Sequence, residues 1–379
     1  MEFVLNEEQA AIRDAVREFA QKEIAPRAAE YDKTSEFPWD NFRALARYGY
    51  LGMTLPKEYG GSGIDWVSYA ICVEEVSRAC ASTGVIYEVH NALHSDPIHH
   101  FGTEEQKKKY LPDLCAGKKL GAFALTEPDA GSDAGSIKTT ARLDGANYIL
   151  NGRKCFITSA GVADLYVLFA STDRSKGPKG LSAFLVEKGL PGLSFGEPED
   201  KLGIRCSRTS DIIMEEVPVP RSDLLGKEGD GLKVALVTLD GGRIGIGCQA
   251  VGIAQAALDA CIAYSKERVQ FGQPIASFQA IQWMLADMAT EIDAARFLCY
   301  RAADLFGRGQ RVSKEIAMAK LFASAMAVRN TSKAIQVHGG YGYMRDYKVE
   351  RLYRDAKITE IYEGTSEVMR MVISAALLK

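Results

Sequence analysis

The sequence predicts an α+β fold: a helical amino-terminal domain at 1–120, a middle antiparallel β domain at 121–230 and a carboxy-terminal helical bundle at 231–379. Three observations carry this reading. Apolar residues recur at helical spacing in the first third. The middle breaks into short β-branched and aromatic runs separated by glycine-containing turns. After Gly231 the helical spacing returns in longer segments.

Between Asn6 and Ala25, Ile12, Val16, Phe19 and Ile24 share one helical face, with Asn6 and Gln9 suited to start the helix and Pro26 to stop it. Further helices are expected at 40–48, 66–78 and 104–116, separated by Pro56, the Gly60-Gly-Ser-Gly63 turn and Pro97. Strands are expected at Tyr148-Ile-Leu, at Lys154-Cys-Phe-Ile-Thr, at Leu165-Tyr-Val-Leu-Phe-Ala and at Leu181-Ser-Ala-Phe-Leu-Val, joined through Asp-Gly, Asn-Gly and Pro-Gly turns. In the last third, Ile281, Leu285, Met288, Ile292, Ala295, Leu298, Ala302 and Leu305 are spaced for one long buried face, and the alanine-rich stretch 317–327 permits close helix packing or a subunit interface. The chain contains no internal repeat or low-complexity linker.

Composition narrows the function. With 379 residues, 47% hydrophobic, 25% charged and a net charge of -3, the chain has a large core to bury and no basic surface for nucleic acid. The amino terminus enters an amphipathic pattern without a signal-type leader, and no stretch reads as long and apolar enough to span a bilayer, so a cytoplasmic enzyme is expected. Eight cysteines are scattered without a Cys-x-x-Cys pair, which points to small buried side chains rather than zinc or disulfides. His90, His94, His99 and His100 lack acidic or cysteine partners at ligand spacing, so no metal site is expected.

One break in the helical pattern stands out near the end, in Arg354-Asp-Ala-Lys-Ile-Thr-Glu-Ile-Tyr-Glu-Gly-Thr-Ser-Glu-Val-Met-Arg370. Gly364 permits an unusual backbone turn and Thr365 or Ser366 can cap the helix that follows, which places Glu363 on a rigid interhelical corner. Flanked by Ile361 and Tyr362, its carboxyl is set to be partly desolvated and therefore a better base near neutral pH.

Ile-Tyr-Glu-Gly-Thr-Ser-Glu at 361–367 resembles the carboxy-terminal signature of the acyl-CoA dehydrogenase family, and further matches follow the family's order. They are Thr126-Glu-Pro-Asp-Ala-Gly-Ser-Asp133, Cys155-Phe-Ile-Thr158, Arg268-Val-Gln-Phe-Gly272 and Gln336-Val-His-Gly-Gly340. Ala79-Cys-Ala-Ser-Thr-Gly-Val-Ile86 and Leu239-Asp-Gly-Gly-Arg-Ile-Gly-Ile246 resemble the short-chain, butyryl-type branch. The resemblance implies FAD bound between the β domain and the carboxy-terminal helices. No Gly-x-Gly-x-x-Gly follows a strand, so the dinucleotide is not held in the Rossmann manner.

Carried over residue by residue, the resemblance places Phe123, Leu125, Thr126, Gly131 and Ser132 along the flavin ring, with Ser132 reaching toward the bound thioester. It stacks Phe156 and Ile157 on the flavin and brings Thr158 near N5, although many members carry tryptophan where Phe156 stands. Arg268, Phe271, Gln279, Gln336, Gly339, Gly340, Thr365 and Glu367 match positions around the diphosphate and adenosine of a neighbouring subunit's FAD, which implies a homotetramer built as two dimers. Asp240, Arg243 and Gly364 fall on the substrate side. Some branches place the catalytic base at the position of Gly242, so Glu363 is the only base here that fits the family pattern.

The implied reaction is FAD-dependent α,β-dehydrogenation of a short-chain or ring-bearing acyl-CoA, with Glu363 taking the α-proton and electrons leaving to an electron-transferring flavoprotein. An acyl-CoA oxidase, an enoyl-CoA reductase and a non-catalytic CoA-ester-binding flavoprotein are the alternatives. Tyr87 and Glu88 depart from the nearest relatives, where a small neutral residue faces the distal acyl chain. Either Glu88 turns aside to a histidine or arginine, or it contacts a polar acyl group or serves as a second acid or base on an alicyclic substrate.

Overall fold

A computed structural model describes residues 4–378. Helices α1 (Glu7–Phe19), α2 (Ala28–Thr34), α3 (Trp39–Arg47), α4 (Trp66–Ala79), α5 (Ala81–Glu88), α6 (Asp96–Phe101) and α7 (Glu104–Cys115) form the first part. Asn6 caps α1 with the reciprocal Gln9 contact, which satisfies two orphan backbone donors. Pro26 does not end the helical path. It sits in the first turn of a 3-10 segment, where its missing N–H costs nothing, and α2 follows directly. Pro97 likewise opens α6 rather than separating helices. Between α5 and α6 the backbone widens into a π-helical stretch, Val89–Ser95, a distortion frequent at functional sites.

The middle part is a sheet of β1 (Gly121–Ala124), β2 (Thr140–Asp144), β3 (Asn147–Thr158), β4 (Leu165–Ser171), β5 (Leu181–Glu187), β6 (Leu193–Phe195), β7 (Thr209–Pro220) and β8 (Leu224–Leu225). Its order is β6-β7-β3-β2-β4-β5-β8, with β1 beside β4. The antiparallel character holds for the long pairs β3·β7, β2·β3 and β4·β5, while β1 runs parallel to β4. Asp144-Gly145 makes the expected hairpin turn. Asn151-Gly152 does not. It lies inside the continuous β3, where the register to β7 shifts, so the glycine marks an irregularity rather than a turn. Strand β4 is buried along its whole length, as its unbroken apolar run requires.

The last part holds α8 (Gly231–Glu267), a short hairpin β9 (Val269–Gln270) and β10 (Gln273–Pro274), then α9 (Gln279–Gly307), α10 (Ser313–His338), α11 (Val349–Lys357) and α12 (Ser366–Leu377). On α9, Met288, Ile292, Ala295 and Ala302 are buried, while Ile281, Leu285, Leu298 and Leu305 of the expected face are only half-buried; Met288 and Ile292 each contribute roughly 1.5–3 kcal/mol by leaving water. Helix α8 corrects the sequence reading in one respect. By length and apolarity it meets the requirement for a membrane span, but 72% of its most apolar window is buried inside the protein, as a central core helix must be. All eight cysteines are buried and free.

Candidate active site

The corner at Glu363 forms as its residues dictate. Helix α11 runs into a 3-10 turn, Ile358–Glu360, the chain turns through Glu363 (φ 54°) and Gly364 (φ 106°), and Thr365 caps α12 by accepting from the Val368 N–H at 3.3 Å. A left-handed conformation at a glutamate is strained, and its surroundings hold it there. The Arg243 guanidinium donates to the Glu363 carbonyl at 3.0 Å while pairing with Asp240 at 3.1 Å. The Lys320 ammonium, on α10, donates to the Gly364 carbonyl at 2.7 Å. Tyr362 donates to Gln249, which in turn donates to Ala81 at 2.9 Å, tying the corner to α8 and α5.

Glu363 as a residue is partly exposed, but its Oε2 is buried and has no hydrogen-bond partner. Burial pushes its carboxyl up to about 7, against the pull of a protonated Glu88 opposite, of Lys320 and of Arg243. The oxygen fits against α8 only because position 242 is glycine: a Cβ there would lie 2.2 Å from Oε2. Three residues along, Gly245 does the same for Glu88, whose Cγ would meet an added Cβ at 2.3 Å.

Glu88 is fully buried at the end of α5, and neither of its oxygens reaches a histidine or arginine, so it does not turn aside; the polar group it faces is the Glu363 carboxyl. Desolvation first, then the neighbouring Glu363, raise its carboxyl well above the ordinary range. Tyr87 is enclosed beside Tyr69 and spends its hydroxyl on the Met53 sulfur at 3.0 Å, so it walls the region without offering a polar contact. The sequence reading missed Tyr69, which is 1% exposed with an unpartnered hydroxyl in the field of both glutamates. It also missed Lys320, since a lysine within an alanine-rich helix carries no local signal.

On the sheet side, β1 ends at Ala124 and releases the loop of Leu125, Thr126, Gly131 and Ser132. This loop is stitched to β3: the Cys155 N–H donates to the Thr126 carbonyl at 3.0 Å, and the buried Lys154 ammonium reaches the Leu125 carbonyl at 3.0 Å and Glu127 at 2.8 Å. Phe123, Thr126, Phe156, Ile157 and Thr158 are thereby brought into one neighbourhood. Phe156 is 66% exposed at φ 57°, an aromatic held outward in a strained conformation, whereas Ile157 is buried in the sheet as core. Glu127 lies within the Thr126–Asp133 motif and Lys154 immediately precedes Cys155, but nothing in the sequence signals their pairing across 27 positions.

A second opening lies between α8, the β9–β10 hairpin and the end of α10. This cleft of about 550 Å³ is lined by Arg268, Phe271, Gln336, Gly339 and Gly340, and shares no lining residue with the Glu363 corner. Arg268 stacks over the Tyr341 ring at 5.2 Å. Phe271 is 93% exposed at φ 52°. Gln279 stands exposed at the start of α9, and Thr365 and Glu367 lie at the start of α12; none of the three lines the cleft.

The residues present fit an elongated dinucleotide. The Arg268 cleft offers fork-shaped donors and a glycine-bounded opening suited to the diphosphate of a neighbouring copy's dinucleotide, and the Thr126–Phe156 neighbourhood offers an exposed aromatic, a threonine and loop backbone suited to a planar ring.

Three acyl-CoA dehydrogenase domain families match: the N-terminal domain at residues 6–118, the middle domain at 122–217 and the C-terminal domain at 229–378. The chain is 52% identical over 379 residues to the short-chain specific acyl-CoA dehydrogenase of Clostridium acetobutylicum, covering all of both chains. It superposes with a TM-score of 0.98 on butyryl-CoA dehydrogenase from Megasphaera elsdenii, at 45% identity and full coverage of both. A chain from the study of the electron transferring flavoprotein of Acidaminococcus fermentans, directed at flavin-based electron bifurcation, matches at a TM-score of 0.99 and 52% identity, again over both whole chains.

Proposed function

This chain belongs to the acyl-CoA dehydrogenase family, a family of FAD flavoprotein oxidoreductases, and from that premise we propose that it removes the α- and β-hydrogens of a short-chain acyl-CoA. The observation that supports this most is the buried, unpartnered Oε2 of Glu363, raised to about 7 by burial and aimed into the notch at Gly242. A carboxylate in that state accepts a proton readily near neutral pH. Glu363 takes the α-proton. Bound FAD would supply the hydride acceptor for the β-carbon, which would make the product the trans-2-enoyl thioester.

The other residues serve this step. The Glu363 N–H is the proposed donor to the thioester carbonyl, which stabilises the enolate-like charge as the α-proton leaves. Arg243 and Lys320 hold the carbonyls of Glu363 and Gly364, so the base cannot swing out of line. Ser132, Asp240 and Gly364 are proposed to line the thioester. Phe123, Leu125, Thr126, Gly131, Phe156 and Thr158 hold the ring end of FAD, with the buried Ile157 packing behind them as core, while Arg268, Phe271, Gln279, Gln336, Gly339, Gly340, Thr365 and Glu367 hold the diphosphate and adenosine of a neighbouring copy in a homotetramer. An electron-transferring flavoprotein is the proposed electron acceptor, in a cytoplasmic setting.

The test is anaerobic mixing of the purified flavoprotein with butyryl-CoA. Bleaching of the flavin with formation of the 2-enoyl ester is expected, with turnover requiring the electron-transferring flavoprotein. Rapid peroxide formation in air without that partner would point to an oxidase, and absence of bleaching by every acyl-CoA ester would overturn the proposal.

A further inference from the structure

Side-chain polar atoms left unpartnered in a protein interior are uncommon, because each forfeits its hydrogen bonds to water. Here Tyr69 Oη, both oxygens of Glu88 and Oε2 of Glu363 are buried without protein partners, and all three side chains lie within one another's electrostatic reach. Glu88 and Tyr69 are 0% and 1% exposed. Their placement is constructed: the π-helical widening begins at the residue after Glu88, and Gly245 clears the volume its carboxyl occupies.

Resting on the dehydrogenase reading, which sets the acyl α-carbon at Glu363, we infer that Glu88 and Tyr69 form a recognition site for a neutral hydrogen-bonding substituent on the acyl group. Gly242 and Gly245 are three residues apart on α8, an axial offset of about 4.5 Å. That is the span of about three to four carbon–carbon bonds of ~1.5 Å, so the substituent sits on the γ- or δ-carbon. A purely apolar chain would leave the Tyr69 hydroxyl unpaired and the Glu88 acid with no polar neighbour but the facing Glu363 carboxyl. A hydroxyl, a carbonyl oxygen or a ring N–H would pair with the Tyr69 hydroxyl and the Glu88 acid, each able both to donate and to accept. A cationic group is disfavoured, since Arg243 and Lys320 already stand at the Glu363 corner.

The test compares butyryl-CoA with 4-hydroxybutyryl-CoA, using holoenzyme with FAD content measured for every variant. In the wild type, kcat/KM for the hydroxylated ester is expected to exceed that for butyryl-CoA about tenfold or more. In Glu88→Ser the ratio should fall to about one, in Glu88→Gln it should be partly kept, and in Tyr69→Phe it should fall severalfold. Dissociation constants of both esters, measured by flavin spectral perturbation in Glu363→Gln, give the same preference without turnover. If those constants still favour the hydroxylated ester while wild-type enzyme oxidises neither, the dehydrogenase reading fails and the recognition site stands. A wild-type ratio at or below one, or a ratio unchanged in Glu88→Ser and Glu88→Gln, overturns the recognition site and leaves the dehydrogenase reading intact.

Discussion

At the scale of single residues, the site depends on what two glycines leave out. An alanine at 242 would put a methyl group 2.2 Å from Glu363 Oε2 and 2.5 Å from Leu93 Cδ2, so the carboxyl must move. Gly242→Ala is therefore expected to retain FAD and to lose roughly tenfold to a hundredfold in kcat/KM, since misplacement of a reacting group by about 1 Å has that effect. A variant with unchanged kinetics would show that the carboxyl does not work from this notch. The charge state gives a second check. Glu363 must be ionised to accept a proton, and burial raises it to about 7, so kcat/KM for dehydrogenation should rise with pH through about 7 and then level off. A flat profile from pH 5 to 9 would contradict that assignment. The corner at Glu363 was legible from the sequence because a glycine, a capping threonine and flanking apolar residues announce it locally. Tyr69 and Lys320 were not, because their roles arise only when α4 and α10 pack around that corner.

At the scale of elements, the corner is braced from outside by Asp355 on α11. Its carboxylate accepts from the Ile204 N–H, joining the helical bundle to the loop before β7, and desolvation raises its acid form to about 7. A carboxyl whose folded pKa is raised above the unfolded value favours the folded state fully at low pH. That contribution is lost as pH rises through the folded value. The melting temperature should thus include a fall between about pH 4 and 7 that is absent in Asp355→Asn, whose amide oxygen still accepts from Ile204. Parallel melting curves for wild type and variant would contradict this. The helical and strand segments with regular periodicity were legible along the chain. The π-helical stretch and the continuity of β3 through Asn151-Gly152 were not, because each depends on partners distant in sequence that override local turn chemistry.

At the scale of the whole molecule, the cleft around Arg268 and the loop at Thr126 share no lining residue, and Phe271 projects almost fully into solvent. Both features make sense if FAD and a neighbouring copy meet there. Arg268→Ala should weaken FAD binding at least tenfold by removing donors to the diphosphate, and dilution should release FAD as the assembly dissociates. Light scattering and FAD retention followed across a dilution series check this, and a monomer that keeps FAD at nanomolar concentration would contradict it. The three-part order was readable from composition and spacing alone. The proximity of Glu88 to Glu363 was not, since 275 positions separate them and α8 brings them together. The proposed proton transfer to Glu363 is measured most directly by rapid mixing of wild-type and Glu363→Gln holoenzyme with butyryl-CoA under anaerobic conditions. The expected result is equal FAD content in both, fast bleaching in the wild type and a rate at least a hundredfold to a thousandfold slower in the variant. Bleaching of Glu363→Gln at the wild-type rate would contradict the assignment of Glu363 as the base.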